Sequence, residues 1–216
     1  MKKIVLAMTL LMVTGIARAE LLAVPNASFE APDTTFFSWD IADWGNPGNT
    51  GTFSNTAGFG NLITNADGDQ LAFMNGDAGD FNNNIYMDMA YTLESGKTYT
   101  LTVGVAARSD STPGDPASTK MELRLFTRVP ELTILASREV VYSDLSNTEL
   151  TYYSAILNAA DIPASAIGQG FGIWLDSTAG TGGDWTLDNV TLTMIPEPAT
   201  MLLMGMGGLG LLKRRS

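Results

Sequence analysis

No cysteine and no histidine occur anywhere in the 216 residues. Without cysteine, no disulfide can hold an exported domain together, so stability has to come from burial, helped by any bound metal. Without histidine, Ser-His-Asp and Cys-His nucleophilic machinery, His-ligated zinc and imidazole acid–base catalysis are all excluded. The chemistry that remains belongs to carboxylates, tyrosine, lysine or metal-bound water. Glycosidases need only two carboxylates, so the lack of histidine argues against a hydrolase without closing that route. Basic residues are scarce as well. Between residues 20 and 195 there are six, Lys97, Arg108, Lys120, Arg124, Arg128 and Arg138, against 22 acidic residues, a net charge of −16. A polyanion of this size is repelled by nucleic acid and anionic lipid and attracts divalent cations. No nucleic-acid partner is expected.

The two ends are the most informative part of what is present. Met1-Lys2-Lys3 is a positive start, residues 4–16 are an apolar run, and Ala17-Arg18-Ala19 is a small-residue cleavage site. Residues 1–19 therefore read as a signal peptide for the Sec translocon, with Glu20 as the new N-terminus. An uncleaved signal anchor is the alternative. At the other end stand Pro196-Glu197-Pro198, an uncharged run over residues 199–212, and Lys213-Arg214-Arg215-Ser216. As a helix the uncharged run is roughly 21 Å long, short for a hydrocarbon core of roughly 30 Å. A span is completed if Met194 and Ile195 join it, if the basic tail snorkels, or if the bilayer thins. Lys213, Arg214 and Arg215 stay cytoplasmic by the positive-inside rule. Pro196 and Pro198 break any helix back into the body, which predicts an exposed, extended segment there.

A Pro-Glu-Pro motif, a hydrophobic span and a basic end in this order resemble the PEP-CTERM sorting signal of Gram-negative bacteria. The resemblance implies export across the inner membrane and a transient inner-membrane anchor through a short C-terminal transmembrane helix. It also implies processing by exosortase, a membrane-embedded transpeptidase, and release to the cell surface or beyond. A permanent anchor without sorting is the other reading of the same tail.

The body between the two ends, residues 20–193, reads as all-β. Ile85, Met87, Met89, Tyr91 and Leu93 alternate with polar residues, and Tyr99, Leu101, Val103 and Val105 do the same after the turn Glu94-Ser95-Gly96-Lys97. The pattern predicts a hairpin. Further strands are expected at Met121–Leu123–Leu125, as a short pair over 134–141, at 152–156, at Phe171–Ile173–Leu175 and at Val190–Leu192–Met194. Residues 158–167 carry one helical turn limited by Pro163. Short strands separated by Gly/Asn/Asp clusters point to an antiparallel β-sandwich of the jelly-roll kind.

Asn26-Ala27-Ser28-Phe29-Glu30 opens this body. Leu93-Glu94-Ser95-Gly96-Lys97-Thr98-Tyr99-Thr100-Leu101 lies in the middle, and Trp185-Thr186-Leu187-Asp188-Asn189-Val190-Thr191-Leu192 closes it. The series resembles the galactose-binding-like jelly rolls of carbohydrate-binding modules, and the related domain of the hapalindole-type cyclases, which are calcium-dependent. That resemblance implies a structural Ca²⁺ where Glu30 and Asp188 meet, its shell completed by backbone carbonyls. The plainer reading makes Asp188 the start of a strand and Glu30 a solvated acid. A second acidic stretch, Asn65-Ala66-Asp67-Gly68-Asp69 and then Asn75-Gly76-Asp77-Ala78-Gly79-Asp80, places Gly76 where an EF-hand needs Glu. It is therefore no EF-hand, and Asp-Gly and Asn-Gly read as turns.

Trp39, Trp44, Tyr152, Tyr153, Trp174 and Trp185 form the pool of rings that could stack on a sugar. Trp174 alternates against Phe171 and Ile173, so it faces outward; it and Trp39 are the candidate platforms. No catalytic constellation is visible. The reading is a non-enzymatic surface or matrix protein, sorted by its tail, with a calcium-stabilised jelly roll that contacts exopolysaccharide or another surface partner. A carboxylate-based enzyme, glycan-active or cyclase-like, and a self-assembling matrix subunit are the alternatives.

Overall fold

A computed structural model describes residues 18–56, 62–75, 83–179 and 182–197. The signal-peptide run, Pro198, the hydrophobic span and Lys213, Arg214 and Arg215 lie outside the described residues, as do Asp77 and Asp80. Eleven strands appear among the described residues. They are β1 (Glu20–Leu22), β2 (Phe37–Ser38), β3 (Thr50–Ser54), β4 (Gln70–Asn75), β5 (Asn84–Thr92), β6 (Lys97–Ala107), β7 (Lys120–Thr127), β8 (Thr133–Val141), β9 (Thr151–Leu157), β10 (Gly170–Ala179) and β11 (Asp184–Pro196). None of the described helices is long and apolar enough to cross a membrane.

The strands form two antiparallel sheets. The larger runs β2-β3-β4-β11-β6-β9, with β1 also on β11, and the smaller runs β5-β10-β7-β8. Alternation builds the core between them. Tyr99, Leu101, Val103 and Val105 of β6 and Leu187, Val190 and Leu192 of β11 face Ile85, Met87, Met121, Leu123, Leu125, Ile173 and Leu175 of the smaller sheet. Tyr99 meets Phe171 across the gap with ring centroids 5.2 Å apart. The larger sheet is covered on its outer face too: Phe53, Ile63, Leu71, Phe73, Ala106 and Leu150 make a second apolar cluster there.

The expected hairpin over 85–105 is not one. β5 pairs with β10, whereas β6 pairs with β11 and β9, so the Glu94–Lys97 turn crosses from one sheet to the other. Gly96, at φ +70°, makes that corner possible, and the Glu94 N–H donates to the Tyr99 hydroxyl at 2.8 Å. Two amphipathic strands show the same alternation whether they lie side by side or face each other across a core. The expected short pair over 134–141 is one strand, β8. Residues 158–167 hold a single 3₁₀ turn, Ala159–Asp161.

The last strand extends past residue 193. Met194 and Ile195 belong to β11, opposite Tyr99 and Thr98, and Met194 is buried. They cannot lengthen a membrane helix while the sheet is intact. Pro196 sits half-buried in the ladder opposite Lys97 rather than in an open extended segment, while Glu197 is exposed.

Candidate functional site: a carboxylate centre and an aromatic cleft

Asp188 owes its position to a break in β11. The pairing with β6 shifts between Asp188 and Thr191, and Asn189 takes φ 54°. Such a bulge lets the inward side change parity, from Trp185 and Leu187 before it to Val190, Leu192 and Met194 after it. Asp188 is left on the outer face of the sheet, opposite Gly104. There the loop of residues 62–69 closes over it. Asn65 pins that loop by exchanging two hydrogen bonds with the backbone of Leu150, at 3.1 and 2.7 Å.

The N-terminal motif arrives at the same place. Asn26, at φ 46°, donates to the carbonyls of Ala31 and Ala42 and accepts from the Ala31 N–H, which folds residues 26–31 into a compact loop. The Val190 N–H donates to the Ala27 carbonyl at 2.9 Å, tying this loop to the bulge. Phe29 is fully buried against Trp44, which leaves Glu30 at the surface. Glu30 Oε1 accepts from the Gln70 N–H at 2.9 Å, and the Asp67 N–H donates to Asp188 Oδ2 at 2.8 Å. Segment 67–70 therefore bridges the two predicted residues. Gly68 is required in it: at φ +88°, a Cβ would stand 2.5 Å from Glu30 Oε1.

Asp67 is the residue that sequence reasoning placed in a turn and not in the site. Its backbone binds Asp188, and its side chain accepts from the Ser28 hydroxyl at 2.8 Å. Asp188 is completely buried. Burial pushes its carboxyl up to about 7; the N–H groups of Asp67 and Asn189 oppose this, and the charges of Asp67 and Glu30 add to it. No described basic side chain forms an ion pair with Glu30, Asp67 or Asp188. Three acids in one neighbourhood, one of them buried and none neutralised, fit a hard cation with oxygen ligands. The described side chains alone do not close a metal site, since no group of three or more potential ligands has that arrangement. Backbone carbonyls would have to complete the shell.

A second feature lies further along the same face. Phe37, Trp39, Asn49, Phe53, Phe73, Asn75, Arg108 and Asp184 line a cleft of about 370 Å³. Trp39 is 59 % exposed. It is held edge-on between Phe37 and Phe73, at centroid distances of 5.3 and 5.6 Å. Its floor carries an ion pair, Arg108 Nη1 to Asp184 Oδ2 at 2.8 Å. Arg108 also binds Asp110, whose carboxyl that bond holds below the usual range.

Trp174 is placed differently from Trp39. It does face away from the core, but Arg124 lies over its ring at 4.8 Å and Phe126 meets its edge. Its Nε1 is buried and unbonded among the described residues. Trp44 and Trp185 are core residues. Besides Asp188, burial raises the carboxyl of Asp176 despite the adjacent Arg124, and neither acid lines the aromatic cleft.

Comparison with known proteins agrees with this architecture. The HpiC1-like family model, described as HpiC1 cyclase, matches residues 20–193, and the PEP-CTERM protein-sorting motif matches residues 195–216. No curated protein matches the chain. Among solved structures, the Stig cyclase Fisc from Fischerella sp. TAU, in complex with (3Z)-3-(1-methyl-2-pyrrolidinylidene)-3H-indole, superposes with a TM-score of 0.64. It is 21% identical and covers 83% of this chain and 100% of its own. A Fischerella sp. TAU cyclase bound to 4-(1H-indol-3-yl)butan-2-one gives 0.64 and 21% over 82% of this chain and 98% of its own. The CBM22-1 xylan-binding domain of Paenibacillus barcinonensis Xyn10C gives 0.52 and 13% over 85% and 99%. At these identities the likeness establishes the sandwich fold. The sorting motif marks an exported protein handled by exosortase-dependent sorting.

Proposed function

The chain belongs to the HpiC1-like family, and from that premise we propose a non-enzymatic, exported surface or matrix protein that binds glycan at the Trp39 cleft. It reaches the cell surface through its PEP-CTERM tail, and calcium at Glu30 and Asp188 stabilises its sandwich. The observation that carries the binding reading is Trp39: a large ring, 59 % exposed, fixed edge-on by Phe37 and Phe73 beside a charged pair. Such a ring offers a flat apolar face to the C–H face of a sugar, and Arg108, Asn49 and Asn75 add polar groups to the lining. A xylan-binding domain with the same fold supports this reading. Calcium neutralises the buried Asp188 and joins the first and last motifs of the domain. The test is a glycan-array screen of the purified protein with calcium and again with EDTA. Calcium-dependent binding to an exopolysaccharide class, lost in Trp39→Ala, supports the proposal; folded protein silent in both conditions sinks it.

A second reading, cyclisation of a small ring-bearing molecule in the same cleft, is favoured by one observation. Asp184 brings a carboxyl among aromatic walls, and the cyclases of this fold were solved with indole compounds. Titrating 4-(1H-indol-3-yl)butan-2-one into the protein separates the two: saturable binding favours the small molecule, its absence the glycan.

A further inference from the structure

The last strand does not stop where the sorting motif starts. β11 runs to Pro196, with Ile195 opposite Thr98 and Pro196 opposite Lys97 in the ladder to β6. One residue on, the Glu197 N–H donates to the Gly96 carbonyl at 2.8 Å, which adds a further rung. On the other side β1 covers the strand as far as Met194, opposite Glu20. The first two residues of Pro-Glu-Pro are therefore part of the folded sheet, with no linker between the body and the motif. An enzyme that takes an extended peptide needs the backbone edges of that peptide for its own hydrogen bonds, and β6 already occupies one of them.

We propose that the folded sandwich gates its own sorting: Pro-Glu-Pro becomes a substrate only when residues 195–197 detach from β6. The covalent step is the ordinary one. One peptide bond breaks, the acyl group of the body passes to the enzyme nucleophile and then to water or an acceptor amine, and the tail leaves with a free amino group. Terminal rungs open far more often than a sheet interior, so the gate sets a rate. The inference rests on the sorting motif and not on what the cleft binds, so a failed glycan screen leaves it standing.

Two variants of the full chain, produced in cells together with an exosortase, test it, with intact mass reporting loss of the tail. A short Gly/Ser spacer between Ile195 and Pro196 leaves β11 paired and frees the motif; processing should rise about tenfold, in line with removal of a local opening step. The second variant adds no length. Thr98→Cys with Ile195→Cys places two thiols at directly paired positions, roughly 5.5 Å apart at Cα in a hydrogen-bonded antiparallel pair, within disulfide reach. No other cysteine competes. When oxidised, this chain should be processed about tenfold more slowly than when reduced, because the terminal rungs can no longer open. Equal rates for the spacer variant and the natural chain overturn the proposal, as do equal rates for the oxidised and reduced pair. So does a spacer variant that is never processed, since an open motif should then be cut.

Discussion

Asp184 and Asp188 lie four residues apart on one face of β11, roughly 13 Å along the strand, and the protein treats them in opposite ways. Asp184, at the floor of the aromatic cleft, is given a cation from within the chain: Arg108 reaches it from the end of β6. Asp188, beneath the 62–69 loop, is given two backbone N–H groups and two acidic neighbours but no cation among the described residues. A buried carboxylate without a counter-charge is costly. With only six basic residues against 22 acids in the body, the chain spends an arginine at the cleft and leaves the other site to be neutralised by protons or by a metal. The cleft is therefore complete as it stands, whereas the carboxylate centre depends on conditions.

The largest expected effect follows from protons. The folded-state value of Asp188 is raised, to about 7, above its ordinary value of 3.8. Between those values the folded protein holds a proton that the unfolded chain has released. The stabilising contribution is thus full below about pH 4, declines as pH rises, and is lost once pH passes 7. In EDTA, the Asp188 contribution should fall by on the order of 4 kcal/mol across this window. Urea unfolding at pH 4 and pH 8 measures it, and Asp188→Asn should flatten the difference; an unchanged slope in that variant would contradict the assignment.

Calcium comes next. It needs the deprotonated carboxylate, so its effect should grow over the same pH range in which the proton is lost. At pH 8 and a hundredfold excess over Kd, the gain is about 2.7 kcal/mol, which for a domain of this size is a rise in Tm of roughly 5–10 °C. Asp188→Asn and Glu30→Gln should abolish or reduce that rise. Thermal melts with calcium and with EDTA decide it, and coincident curves for the natural protein would remove the metal from the reading. A smaller effect should come from the other aspartate. Arg108→Met takes away the cation of Asp184 and should cost about 2 kcal/mol. Urea unfolding at pH 8 measures it, and an Arg108→Met protein as stable as the natural one would end the comparison between the two aspartates.

The sequence shows parts of this contrast and hides others for physical reasons. β7, β9, β10 and the end of β11 are legible because each buries one face, so apolar residues recur at every second position. β3 and β4 carry no such alternation. Gly51, Thr50 and Thr52 are buried in a sheet covered on both faces, and the run carries no period-two signal. Glu30 and Asp188 stand out through the short motifs around them. Asp67 does not, because what it contributes to Asp188 is a backbone N–H, and backbone donors have no signature in a list of side chains. The Trp39 cleft depends on Phe53 and Phe73 from those two unread strands, so one of its rings could be named in advance and its walls could not.

Trp39→Ala sharpens the comparison from the side of the cleft and should perturb stability least. Its ring is mostly solvent-exposed and meets Phe37 and Phe73 edge-on, so unfolding free energy should change by less than about 1 kcal/mol. Affinity for the ring-bearing ligand should nevertheless drop tenfold or more, roughly the loss expected when an aromatic anchor is removed. Trp174→Ala should do the reverse. That ring is covered by Arg124 and packed on Phe126, so its removal should lower stability and leave ligand affinity unchanged. Paired melting and titration curves for the two variants separate a platform from a packed ring. A Trp174→Ala protein that stays folded yet loses binding would move the ligand site from the larger sheet to the smaller one.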